Sequence, residues 1–217
     1  MALKSSPESG LAHALVVLSL IEAAAFGQMT VPDLVANGQH HAEQAVALAP
    51  SCQEALFAAA ALSLLQDDRK RFAVLCDQAV HANPNGTLLT SMAGTWFAMS
   101  GELERGVAMI KDALERNPML PDWLRIPLTL GAIAEGDPQK SADLVRDLNA
   151  RDVVSEWLII AAAHGLAGNK KEAHRALLRL AELGGDPNAL LKDLPLEADL
   201  FSELQKGISS ARASNSE

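Results

Sequence analysis

Apolar residues recur along this chain every three or four positions, in runs broken by short polar segments. That is the period of a helix burying one face. The pattern predicts helices over about 9–26, 31–48, 52–66, 69–82, 86–99, 103–116, 120–134, 138–149, 153–167 and 170–183, and a last one ending near Lys206. The breaks carry turn chemistry. A loop containing Gly27 joins the first two helices, and Gly101-Glu102, Gly136-Asp137 and Gly168-Asn169 mark tight turns inside later hairpins. In Gly136-Asp137-Pro138 the glycine ends one helix, the aspartate caps the next and the proline starts it. Gly185-Asp186-Pro187 repeats the device near the C-terminus. Ser51 and Glu54 have the spacing of a capping box. Pro127 falls inside a predicted helix, where it removes a hydrogen bond at a cost of about 3 kcal/mol, so a kink is expected there.

The helices repeat as pairs. Ala45-x4-Pro50, Ala79-x4-Pro84 and Ala113-x4-Pro118 stand 34 residues apart, each at the end of an apolar helical run. The unit around residues 86–118 adds Ala93-Gly94, Phe97, Gly106 and Ile110, and that around 52–84 adds Ala59-Ala60, Phe72 and Cys76. This wording and period resemble tetratricopeptide (TPR) repeats, stacked helix–turn–helix units. The resemblance implies an all-α, right-handed superhelical solenoid of about five helix pairs plus a C-terminal capping helix. Residues 1–8 read as a flexible leader, 9–206 as the solenoid domain and 207–217 as a flexible tail rich in Ser, Ala and Asn.

A narrower likeness covers residues 9–205. It rests on Ser100-Gly101-Glu102-Leu103-Glu104-Arg105-Gly106, Leu114-Glu115-Arg116-Asn117-Pro118 and Leu120-Pro121-Asp122-Trp123. Pro127-Leu128, Gly136-Asp137 and Ala161-Ala162-Ala163-His164-Gly165 continue it. These phrases resemble the C-terminal TPR region of bacterial signalling proteins that carry a nucleotide-cyclase or winged-helix DNA-binding domain upstream. The resemblance implies a regulatory or sensing module and brings no catalytic residue. It leaves open whether the chain stands alone or is part of a longer regulator.

Charge and cysteine content narrow the partners. The formal charge of −9 argues against nucleic acid, whose binding needs a basic surface. Lys170, Lys171, Arg175 and Arg179 share one predicted helix, where four charges read as a solvated face. Cys52 and Cys76 lie on opposite arms of one predicted hairpin, offset by six residues, about 9 Å along the axis. A relaxed disulfide rarely exceeds about 7 Å between Cα atoms, so both read as buried free thiols of a reducing cytoplasm. Lys4, the apolar run Leu11–Ile21 and Ala23-Ala24-Ala25 mimic a signal peptide. Glu8, His13 and Glu22 interrupt that pattern, and a first solenoid helix is the better reading. The run is too short to span a membrane.

Candidate chemistry is sparse. No phosphate loop, nucleophile elbow, zinc-protease motif or paired-cysteine metal spacing occurs. His40, His41 and Glu43, with Glu22 on the preceding helix, come nearest to a metal cluster, yet a di-metal bundle needs its Glu-x-x-His motif twice. They read as a polar stripe. His164 stands where the TPR pattern has tyrosine and reads as a packed histidine, with His174 across the turn. Trp157 is expected in the core, and Trp123 at a unit boundary, buried or acting as an anchor. No cofactor, no metal and no enzymatic activity are expected.

The inner face of such an array is lined by one stripe of each first helix. Here the register selects Phe57, Ala61, Leu64, Ser91, Thr95, Met99, Arg125, Thr129, Leu158 and Ala162, an apolar groove with Arg125 as its fixed charge. The expected function is a non-catalytic protein-interaction scaffold, bacterial and cytoplasmic, taking a peptide segment or partner protein in that groove. A homodimerising structural module is the alternative. The plainer reading of the groove is that the chain's own terminal segments fill part of it.

Overall fold

The computed structural model describes residues 7–146, 148–194 and 196–213. Among these the chain forms α1 Gly10–Ala25, α2 Val31–Leu48, α3 Gln53–Leu65, α4 Arg69–Ala82, α5 Thr87–Met99 and α6 Leu103–Arg116. A 3-10 turn at Asp122–Arg125 leads into α7 Ile126–Ala134. Then come α8 Pro138–Arg146, α9 Val154–Leu166, α10 Lys170–Glu182, α11 Pro187–Asp193 and α12 Ala198–Ala213. The expected leader 1–8 lies mostly outside the described residues, as does the end of the expected tail. The described chain divides into two compact units, Met1–Ala93 and Gly94–Glu217.

In the first unit α1 and α2 form a hairpin that packs on α3, and α3 pairs with α4. Ser9 caps α1 by accepting from the Ala12 N–H, and Thr30 caps α2 by accepting from that of Asp33. The apolar run that mimics an export signal is therefore a packed helix, with Ala14 and Val17 fully buried. Helix α3 is buried on every side from Ala55 to Leu64, because its alanines let neighbours approach closely. The capping box expected from Ser51 and Glu54 does not form. Cys52 is the N-cap residue, and its thiol donates to Glu54 Oε2 at 3.1 Å. Cys52 and Cys76 are both free thiols, the first half-buried and the second buried. Buried Gln53 exchanges hydrogen bonds with Asn83, donating to its carbonyl at 3.2 Å and accepting from its Nδ2 at 3.1 Å, which pins the Asn83–Gly86 turn.

In the second unit Gly94 and Gly106 let α5 and α6 touch: a Cβ on Gly106 would stand 2.3 Å from the Gly94 carbonyl oxygen. Pro127 does not kink a helix. The 3-10 turn ends before it and α7 starts beside it, with Pro127 in the first turn, where its missing N–H has no partner to lose. The Gly136-Asp137-Pro138 turn forms as expected: Gly136 has φ +72°, Asp137 accepts from the Lys140 N–H at 3.0 Å, and α8 opens on Pro138. Asp186 caps α11 in the same way, accepting from Asn188 and Ala189. The final helix departs from expectation. It continues past Lys206 to Ala213, because Leu204, Ile208 and Ala211 prolong its apolar stripe, and all three are buried. That stripe packs on α9 and α7 in one core containing Leu130, Leu158, Leu180 and Leu200.

Candidate functional site

Eight of the ten residues expected to line an open groove are buried. Phe57, Ala61 and Leu64 lie inside α3, and Ser91 is buried with its hydroxyl donating to the Thr87 carbonyl at 2.7 Å. Thr95 is half-buried and Met99 is buried. Thr129, Leu158 and Ala162 have no exposed surface, and the last two belong to the helix that carries α12. Arg125 alone of the ten is exposed, with its Nε 3.7 Å from Asp122 of the same turn. In the second unit the stripe is thus occupied by the chain's own terminal helix. The crossing is close: a Cβ on Gly207 would stand 2.4 Å from the Ala162 carbonyl oxygen, and one on Gly165 2.1 Å from that of Gly207. Only backbone hydrogens fill that space.

A polar cluster ties down the segment between α8 and α9. Glu156, 5% exposed, accepts from the Arg151 backbone N–H at 2.9 Å and its Nε at 2.8 Å. The guanidinium of Arg151 lies 3.9 Å above the Trp123 ring, and the Arg151 carbonyl accepts from Trp157 Nε1 at 2.8 Å. Arg179 of α10 bonds Asp152 at 2.5 Å beside it. Trp123 and Trp157 are both half-buried and held by one arginine, so they brace a loop. The sequence marks both tryptophans but not Arg151, whose role depends on a partner 28 residues away.

A third cluster lies in the first unit. His13 of α1 is buried and meets His41 of α2, with the two Nδ1 atoms 2.8 Å apart. Its Nε2 stands 3.1 Å from the Pro7 carbonyl oxygen. The ring centres of His13, His40 and His41 are 5.0 to 6.1 Å apart. Burial, then the charges of His13 and His40, hold the His41 imidazolium below its ordinary pKa. Glu43, expected beside the pair, instead accepts from Gln39. Among the described residues, no three His, Cys, Asp or Glu side chains are arranged to hold a metal ion. His13, a mere interruption of an apolar run in the sequence, is the centre of the cluster. His164 packs as expected. Its Nδ1 lies 3.3 Å from the Asn169 amide nitrogen, and burial lowers its pKa.

Hairpins of apolar helices closed by a terminal helix define an all-α fold of the TPR solenoid class. No family model matches the chain, and no curated protein matches it. Among solved structures, it is similar to one from a functional characterization of Pseudomonas aeruginosa PilF. The identity is 15% and the TM-score 0.57, over 96% of this chain and 89% of that one. At that identity the likeness is one of fold. No helix among the described residues is long and apolar enough to cross a membrane.

Proposed function

We propose that the chain is a non-catalytic protein-interaction scaffold of a bacterial regulatory or signalling system, working in the cytoplasm. The repeat wording supports it, as does a fold whose helix faces suit partner binding. The acidic charge of −9 disfavours nucleic acid as the partner. With the expected groove residues buried, the working surface moves to α1. Leu11 and Leu15, one turn apart, are 45% and 49% exposed, and Leu18 beside them is half-buried. Two leucines one helical turn apart and each about half exposed form an apolar row, and such a row on a helix surface marks a contact surface. This row is the observation that carries the reading.

The same row also supports the second reading, in which two copies of the chain pair through α1. Sedimentation velocity over a wide concentration range separates them. A monomer that captures a partner from its native cell, and loses capture in Leu15→Glu, supports the scaffold. A dimer that Leu15→Glu dissociates supports self-association. Capture unchanged in Leu11→Glu/Leu15→Glu overturns the assignment to α1.

A further inference from the structure

The histidine cluster has a defined proton arrangement. A carbonyl oxygen only accepts, so His13 Nε2, facing that of Pro7, carries the hydrogen. Neutral His13 then presents a lone pair at Nδ1, and the hydrogen shared across the 2.8 Å contact belongs to His41 Nδ1. One added proton is tolerated: on His41 Nε2 it leaves the Nδ1–H donor in place. A second, on His13 Nδ1, sets N–H against N–H. Protonated His40 would add a further positive charge within about 6 Å.

The surroundings offer little to offset that charge. Besides His13, α1 carries one ionisable side chain, Glu22, nine residues or about 13 Å further along the helix. Helix α2 adds Asp33, bonded to Thr30, and Glu43, bonded to Gln39. Helix α3, packed on both, has Glu54 alone, which accepts from Cys52. Glu8 is exposed in the turn before α1.

We propose that the α1–α2 hairpin is a proton-responsive clamp: once both rings of the His13–His41 pair carry an added proton, N–H faces N–H across their 2.8 Å contact, which breaks it and loosens α1. The sign follows from His41. A histidine whose folded pKa is lowered contributes stability that is complete above its unfolded value, about 6.5, and is lost as the pH falls toward the folded one. The first proton, on His41, therefore already costs stability and the second opens the clamp, so it is closed at neutral pH and opens in acid. It acts on the helix bearing the exposed Leu11–Leu15 row but does not depend on what binds there.

Histidine-selective NMR of the full chain tests the arrangement directly, with amide exchange along α1 as the second readout. At pH 7.5 His13 should be the Nε2–H tautomer and His41 the Nδ1–H tautomer. Between pH 7.5 and 5.0 α1 should lose at least about tenfold in protection after correction for intrinsic exchange. His41→Asn keeps a donor toward His13 without the charge, so its α1 should lose clearly less, whereas α9, with its own buried His164, should respond as in the parent. The opposite tautomers, or α1 protection independent of pH, overturn the proposal. So does stoichiometric zinc in the purified protein whose removal abolishes the response. If His41→Asn does not fold, the tautomers and the parent's pH response decide alone.

Discussion

Replacing Gly207 with alanine tests whether α12 is an integral part of the second unit. In an open helix the change stabilises by about 1 kcal/mol, since glycine is the weaker helix former. Here the new methyl would stand 2.4 Å from the Ala162 carbonyl oxygen and 2.9 Å from its C and Cα atoms. All three are backbone, so no side chain can turn aside. Relief needs α12 to back away by about 1 Å, and a gap of that size forfeits a quarter to a half of the local dispersion energy. The shift carries Leu200, Leu204 and Ile208, each buried and each contributing about 1.5–3 kcal/mol. The loss is then about 2–4 kcal/mol, offset by about 1 from helix propensity, for a net destabilisation of about 1–3 kcal/mol. Urea unfolding followed by far-UV dichroism measures it, and Tm should fall about 2–4 °C for each kcal/mol. Gly131→Ala is the control. A Cβ there meets only the Val107 Cγ2 methyl, at 3.1 Å, which can yield, so stability should hold or rise slightly. A Gly207→Ala protein as stable as its parent would refute the close crossing and reopen the inner stripe as a binding surface.

Other substitutions follow the same logic. Arg151→Ala removes the guanidinium from buried Glu156, which keeps its bond from the backbone N–H of position 151, and the cation over Trp123, and should cost about 1.5–3 kcal/mol with a red shift in tryptophan emission. An unshifted spectrum would refute the stacking. Leu64→Asp places a carboxylate where the parent side chain is 2% exposed, so it should unfold the first unit rather than selectively block a ligand, costing at least about 3 kcal/mol. Retained helicity at 25 °C would contradict that. Burial first, then the hydrogen bond to Glu54, raises the Cys52 thiol above its ordinary pKa, and Cys76 has no exposed surface. Both should react with a thiol reagent at pH 8 at least about tenfold more slowly than in urea, as a thiol assay would show.

The helices, most of their ends and the pairing into TPR-type hairpins were legible because they are written locally. Apolar spacing selects a helix, and Gly136-Asp137-Pro138 carries its own stop and start. Pro127 is ambiguous in sequence because proline marks either a kink or a first turn, and the choice depends on whether the preceding residues form a separate turn. The end of α12 is not written locally: Ser and Asn near the terminus have the composition of a tail, and the stripe Leu204, Ile208 and Ala211 counts only once α9 is there to receive it. Register places the inner stripe, but register does not reveal what covers a face. That was decided by Gly165 and Gly207, two residues 42 positions apart whose missing side chains matter only once the helices cross. The histidine cluster has the same cause: His13 and His41 are 28 residues apart, and local periodicity is blind at that separation. Sequence determined the elements and their hairpin order through short-range sterics and burial, whereas tertiary structure decided which faces are filled and which polar groups meet, because those depend on distances between helices.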